Sequence, residues 1–298
     1  MPRMGVTALL LSALFAAVVR PASPVSVLVV SESGVDAYNE ALGGLSAVLP
    51  AGSFRLVDAG GRTFDRDFTG ALEDYEPRVV IAVGSRALAL VRAHRPAVPV
   101  ISAMVMNVND SDPGIRRVDL DIQLATQLAA MRSLWPGRAR AGLLRNPARS
   151  RSAAEALEAL ARKEGFSLLV VDCDGPARLL KALAEFRGKV DFVLCLPDAE
   201  LYNAVTIKPL VMASLEQRLP LVGFSPAFVR AGAAAGIFPA YADVGRQSAE
   251  MALRLVRGED RMAEKEGPRK VSVAVNQRVA RLLGLEFRPE AAGAEVYR

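Results

Sequence analysis

Between Val190 and Gly258 the chain alternates short uncharged, apolar runs with helix-forming segments, and this alternation limits the fold more than any other feature. Phe192 to Leu196, Leu219 to Gly223 and Ala233 to Pro239 carry no polar face. A strand covered on both sides of its sheet is written this way, and the helices that cover it fill the gaps. Helices are predicted from Thr206, after Ser225 and from Asp243. The class is therefore α/β with a parallel sheet. In such sheets ligands bind beyond the carboxyl ends of the strands, which singles out Pro197, Asp198, Ser225 and Tyr241.

The same grammar runs through the rest of the chain. Upstream, Val25 to Val30, Phe54 to Val57, Arg78 to Val83 and Val98 to Ala103 read as strands, with a helix over Ala87 to Val91. Met104 to Arg117 reads as a loop rich in Asn, Asp, Pro and Gly. Asp121 to Leu134 is amphipathic and closed by Trp135-Pro136-Gly137. A second set follows: strand Ala141 to Leu144, helix Ser152 to Glu164, strand Leu168 to Val171 and helix Pro176 to Phe186. Val271 to Val275 is a further strand, Asn276 starts a helix that ends at Gly284, and the tail from Arg288 is expected to be loosely ordered. Two successive sets of strand and helix describe two doubly wound parallel-sheet lobes about a hinge.

The strand tips supply the candidate ligand-binding residues. Ser31, Ser33 and Asp36 follow the first strand at a helix amino end, where free N–H groups favour an anionic group; Asp36 is read as a helix cap. Gly84 lets backbone approach a ligand, and Ser85 either caps the next helix or does so while offering its hydroxyl to the solute. Asn146 precedes Pro147 and is read first as a turn residue. Asp198 can accept a hydrogen bond from a ligand ammonium, or cap the following segment or pair across the lobes. Ser225 can cap its helix and face the solute at once. Tyr202 and Phe224 either stack on an aromatic ligand or pack in the core.

Three segments, LPDAELYNAVTIKPL, the run from Arg218 to Glu259 and VAVNQRVARLLGL, resemble the substrate-binding proteins of ABC transporters. Within that family the similarity is to members that bind aromatic amino acids on a periplasmic binding protein type I fold. It extends in element order over roughly residues 25 to 288 and is dense after Ala139. The resemblance implies that the segment after Ala240 returns to the first lobe, giving a first lobe of 24–118 with 241–270 and a second of 119–240 with 271–298. It also implies that the Ser85 corner contributes to binding the carboxylate end of a ligand. The family's Ser-Asp-Pro segment follows the fourth strand directly; here Ser111 to Pro113 stands several residues later.

Composition excludes several alternatives. The 298 residues are 51% hydrophobic and 23% charged, an ordinary globular balance. Net charge is +5, with basic residues interleaved among acidic ones, so nucleic acid is not an expected partner. One histidine and two separated cysteines leave no zinc site, and neither a P-loop nor a G-x-G-x-x-G is present, so no metal and no cofactor is expected. Gly223, Ser225 and Ala227 approach the nucleophile elbow, but the second glycine is replaced and His94 precedes the serine; His94 reads as a surface residue at a helix end. Cys173 and Cys195 could pair in an oxidising compartment, yet a 2-1-3 strand order keeps their strands apart, so two buried thiols are expected.

Arg3 and the apolar run from Gly5 to Val19 read as a signal peptide over 1–23, cut near Ala22 or Ser23, with an uncleaved anchor as the alternative. The expected protein is periplasmic and monomeric, captures a small polar molecule such as an amino acid between its lobes, and hands it to an ABC permease. A sensory module serving a membrane receptor or kinase is the rival; a hydrolase using Ser225 and a scaffold rank below.

Overall fold

The computed structural model describes residues 27–106, 114–148, 152–259, 261 and 263–298. Both lobes have the anticipated α/β architecture. In the first, β1 (Val27–Ser31), β2 (Phe54–Asp58), β3 (Val79–Val83), β4 (Val100–Ala103), β5 (Ile115–Val118) and β11 (Lys265–Glu266) form one sheet in the order β11-β5-β4-β3-β1-β2. Every pairing in it is parallel. β1 and β3 are each flanked by strands on both sides, and all ten of their residues are buried, as apolar runs broken only by the terminal Ser31 require. Helices α1 (Asp36–Ser46), α2 (Phe64–Tyr75) and α3 (Ser85–His94) connect these strands.

In the second lobe, β6 (Arg140–Arg145), β7 (Ser167–Asp172), β8 (Phe192–Leu194), β9 (Leu221–Gly223), β10 (Ala235–Pro239), β12 (Val271–Asn276) and β13 (Glu295–Tyr297) form a seven-stranded sheet. Its order is β13-β12-β10-β9-β8-β6-β7. β12 runs antiparallel to β10 and β13 parallel to β12. The helices are α4 (Leu124–Leu134), α5 (Ala154–Lys163), α6 (Pro176–Ala184), α7 (Ile207–Glu216), α8 (Pro226–Ala231), α9 (Tyr241–Val256) and α10 (Gln277–Leu283). Among the described residues no helix is long and apolar enough to cross a membrane.

The chain leaves the second sheet at β10 and, through α9, packs against α1 and the strands β3, β4 and β5 of the first lobe. α9 places Tyr241, Val244, Ser248, Met251 and Leu255 in the interior at helical spacing. Contact with α1 is made through backbone. A Cβ on Gly44 would fall 1.8 Å from the Ala242 carbonyl oxygen, and one on Gly245 would fall 1.8 Å from that of Ala41. Glycine at both positions lets the two helix axes approach more closely than side chains allow.

Several local expectations are corrected. The segment read as a loop up to Arg117 contains β5, whose polar IRRV sequence carries no strand signal. The tail after Arg288 is ordered into β13, where Tyr297 pairs with Asn276. α2 and β11 were not anticipated. Asp36 does not cap its helix: the N-cap is Val35 and the acid stands in the first turn, and the helix predicted from Asp243 begins two residues earlier, at Tyr241, with Ala240 as its N-cap. Asn276 does cap α10, accepting from the Val279 N–H at 3.1 Å, and Gly284 closes that helix at φ +67°. His94 is a partly buried ring set edge-on to Phe64 and Phe68, at 5.6 and 5.1 Å. Cys173 and Cys195 are buried free thiols at the ends of β7 and β8, with β6 between those strands.

Candidate functional site

The carboxyl ends of β6 and β8 are neighbours, and the segments leaving them enclose a cavity of about 200 Å³. Arg145, Asn146, Ser152, Pro197 and Asp198 contribute polar and backbone edges over a floor of leucines. Asn146, only 4% exposed, is fixed on both sides. Its Oδ1 accepts from the Ala148 N–H at 3.1 Å, forming the turn, and its Nδ2 donates to Glu200 Oε2 at 3.0 Å. Asp198 Oδ1 accepts from the N–H groups of Glu200 and Leu201 at 2.8 and 3.0 Å. This carboxylate therefore organises its own loop, the capping role that stood as the alternative to ammonium recognition.

Arg145 is committed to Asp172 through a two-pronged ion pair of 2.7 and 2.8 Å. Hydrogen bonding from Arg145 holds the Asp172 carboxyl below the usual carboxylate range. Because that value is depressed in the folded state, the pair's contribution is complete above the unfolded carboxylate range, about pH 4, and is lost as pH falls through the folded value. Thermal midpoints recorded from pH 7 down to 3 are expected to fall less steeply for Arg145→Gln than for the parent protein below about pH 4.

The first lobe's strand tips form a second polar group. Ser33 donates from its N–H and its hydroxyl to Asp58 at 3.0 and 2.9 Å, and Gly60 adds an N–H at 2.8 Å. The hydrogen bonds from Gly60 and Ser33 hold Asp58 below the usual carboxylate range. Ser33 thus ties the tip of β1 to that of β2. Ser85 is exposed in the first turn of α3; the N-cap is Gly84, and no side chain caps this end. Gly84 admits the Tyr38 ring, since a Cβ there would lie 2.5 Å from that side chain, and its φ of +93° favours glycine further. Glu32 and Arg86 pair at 3.4 Å across the tips of β1 and β3.

Helix α1 of the first lobe faces α8, β12 and β13 of the second across a depression of about 560 Å³. α1 supplies Asp36 and Glu40 from the first lobe, while Ser225, Arg230 and Tyr297 come from the second and Tyr241 from the start of α9. Ser225 caps α8 as expected, its Oγ accepting from the Phe228 N–H at 3.2 Å. Burial, with Glu40 nearby, pushes the Tyr241 phenol up to about 12. The guanidinium of Arg230 lies 5.9 Å from the Tyr297 ring.

The five candidate residues accordingly divide: Asn146 and Asp198 share the smaller cavity, Ser225 lines the shared depression, and Ser33 and Ser85 stand on adjacent strand tips of the first lobe. Tyr202 is core: it is 5% exposed and packs on Phe224 and Phe228, each 5.7 Å away. Glu32, Arg86, Glu40, Arg230 and Glu200 were not singled out by sequence reading. Arg86 could have been found as the neighbour of Ser85, and Glu40 as the residue one helical turn beyond Asp36.

Two largely parallel, helix-covered sheets, linked by the return of α9 from the second lobe to the first, define a type I periplasmic binding protein fold. The chain belongs to the family of ABC transporter substrate binding proteins, whose family model matches residues 68–288. A ligand-free, open substrate binding protein with adhesive properties from Clostridium difficile superposes with a TM-score of 0.64 at 14% identity, covering 92% of this chain and 99% of that one. The ABC domain from Streptococcus pneumonia, solved with L-Trp, gives 0.58 at 16% identity and covers 92% and 100%. A conserved domain protein from Vibrio cholerae also gives 0.58 at 16% identity, covering 93% and 100%. At these identities the likeness is one of fold. No curated protein matches the chain significantly in sequence.

Proposed function

We propose that the protein is an exported, monomeric binding protein, without catalytic activity, that encloses a small polar solute between its lobes and delivers it to an ABC importer. The observation that carries this reading is the depression walled by α1 of the first lobe and by α8, β12 and β13 of the second, because a solute held there touches both lobes and favours their closure. The favoured solute is an amino acid or a closely related metabolite. In that depression the carboxylates of Asp36 and Glu40 suit an ammonium, while Arg230 and the hydroxyl of Ser225 suit a carboxylate. That one structural neighbour holds L-Trp is consistent with this class.

Thermal unfolding in the presence of amino acids, nucleobases, sugars and small carboxylates tests the proposal. One solute class is expected to raise the midpoint, since a ligand at a hundredfold excess over its Kd stabilises the native state by about 2.7 kcal/mol. Glu40→Gln and Arg230→Ala, which line the depression from opposite lobes, should each reduce the solute-induced shift, measured against the variant's own unliganded midpoint. An undiminished shift in both variants removes these residues from the site. No shift with any class removes the solute-binding reading.

A further inference from the structure

The pole of the second lobe opposite its strand tips is a concentrated basic surface. Parallel strands β6, β8 and β9 begin there, and the antiparallel β12 delivers α10 to the same end. On one side of α10 lies a hollow of about 760 Å³ framed by Arg278, Arg281 and Arg298. On the other lies a hollow of about 670 Å³ edged by Arg138, Arg140, Arg218 and Arg288, with Asp191 and Glu286 as its acids. Asp191 is taken by Arg140 at 2.8 Å and Arg138 at 3.7 Å. Five arginines, 218, 278, 281, 288 and 298, are left without an acidic partner among the described residues. Beside Arg278 and Arg281 in the first hollow, Leu282 is 66% exposed.

We propose that this pole docks on a phospholipid bilayer that carries anionic headgroups. Guanidinium forks match phosphate oxygens two at a time, and unneutralised basic groups close to an anionic leaflet each add to its attraction. Leu282, standing proud among the arginines, supplies the apolar side chain that an interfacial contact buries. An acidic protein is the poorer fit, because the aromatic side chains in this hollow that would anchor a protein interface are engaged inward: Trp135 is buried beneath Arg138, and Phe287 packs edge-on against it at 5.2 Å. Docking at this end leaves the strand tips, at the opposite end of the lobe, open to solute. The inference goes beyond solute capture and does not depend on which solute is bound.

Cosedimentation of the full chain with vesicles tests it, using phosphatidylcholine alone and phosphatidylcholine mixed with phosphatidylglycerol. The double variant Arg278→Glu/Arg281→Glu is expected to bind the mixed vesicles at least tenfold more weakly than the parent. That difference should disappear on phosphatidylcholine alone and in about 0.5 M salt, where charges are screened beyond a few ångströms. Leu282→Ser should weaken binding to the mixed vesicles with no change in charge. All three positions are exposed, so unchanged thermal midpoints verify folding independently of solute. Equal binding of parent and double variant to the mixed vesicles overturns the proposal. So does capture of the parent by an acidic polypeptide that the double variant fails to bind, if the mixed vesicles do not discriminate between them.

Discussion

Two adjacent glycines of α1 are expected to respond to alanine in opposite directions: Gly43→Ala should stabilise the protein and Gly44→Ala should destabilise it strongly. Nothing lies within 4 Å of a Cβ built on Gly43, which faces solvent. There the substitution gains only helix propensity, up to about 1 kcal/mol. The same gain is available at Gly44, but its Cβ would sit 1.8 Å from the Ala242 carbonyl oxygen, well inside contact distance and against backbone that cannot rotate away. Separating α1 from α9 is then the only relief. Overpacking of this kind costs about 1–3 kcal/mol and at times more, so a net loss of about 3 kcal/mol is expected where backbone meets backbone. In a chain of this size that corresponds to a fall of roughly 6–12 °C in the thermal midpoint. Gly245→Ala meets Ala41 in the same way and should behave alike. A midpoint for Gly44→Ala equal to that of the parent would show that α1 and α9 are not in backbone contact.

The second large effect is expected at Tyr202. Tyr202→Ala should cost about 3–5 kcal/mol, the range for removing a large buried aromatic ring, whereas Tyr202→Phe should stay within about 1 kcal/mol of the parent. The ring is wedged between Phe224 and Phe228, and its burial raises the phenol well above its ordinary value. Its hydroxyl finds no nitrogen or oxygen partner and faces the Cys195 thiol, a weak partner, so phenylalanine loses little. Tyr202 also ends the loop that Asp198 organises: its N–H donates to the Asp198 carbonyl at 2.9 Å. Removing the ring should therefore also loosen the segment that walls the β6–β8 cavity. Urea titration of both variants measures the losses. Equal losses for Ala and Phe would mean that the hydroxyl, and not the ring, carries the contribution.

How much of the candidate site could be read in advance depended on how local each interaction is. The tips were legible because an apolar run ends where its strand ends, so Ser33, Ser85, Asn146, Asp198 and Ser225 all stand at or just beyond strand ends. Ser225 and Asn276 as caps were legible for the same reason, their partners lying three residues away. What those tip residues hold was not legible. Ser33 engages Asp58 across 25 positions, and Arg145 engages Asp172 across 27, because parallel pairing sets the ends of neighbouring strands side by side.

Sequence alone determined the α/β class, the central strands and most of the helices, since burying a strand on both faces leaves no choice but a continuous apolar run. Tertiary structure alone decided the rest. β5, β11 and β13, spelled IRRV, KE and EVY, have no apolar run to announce them, and they are strands because an adjoining edge offers unpaired N–H and carbonyl groups. The glycine contact of α1 with α9, the depression between α1 and the second lobe, and the arginine pole join residues up to some 260 positions apart. Their spacing along the chain carries no period that could reveal them, and only packing in three dimensions brings them together.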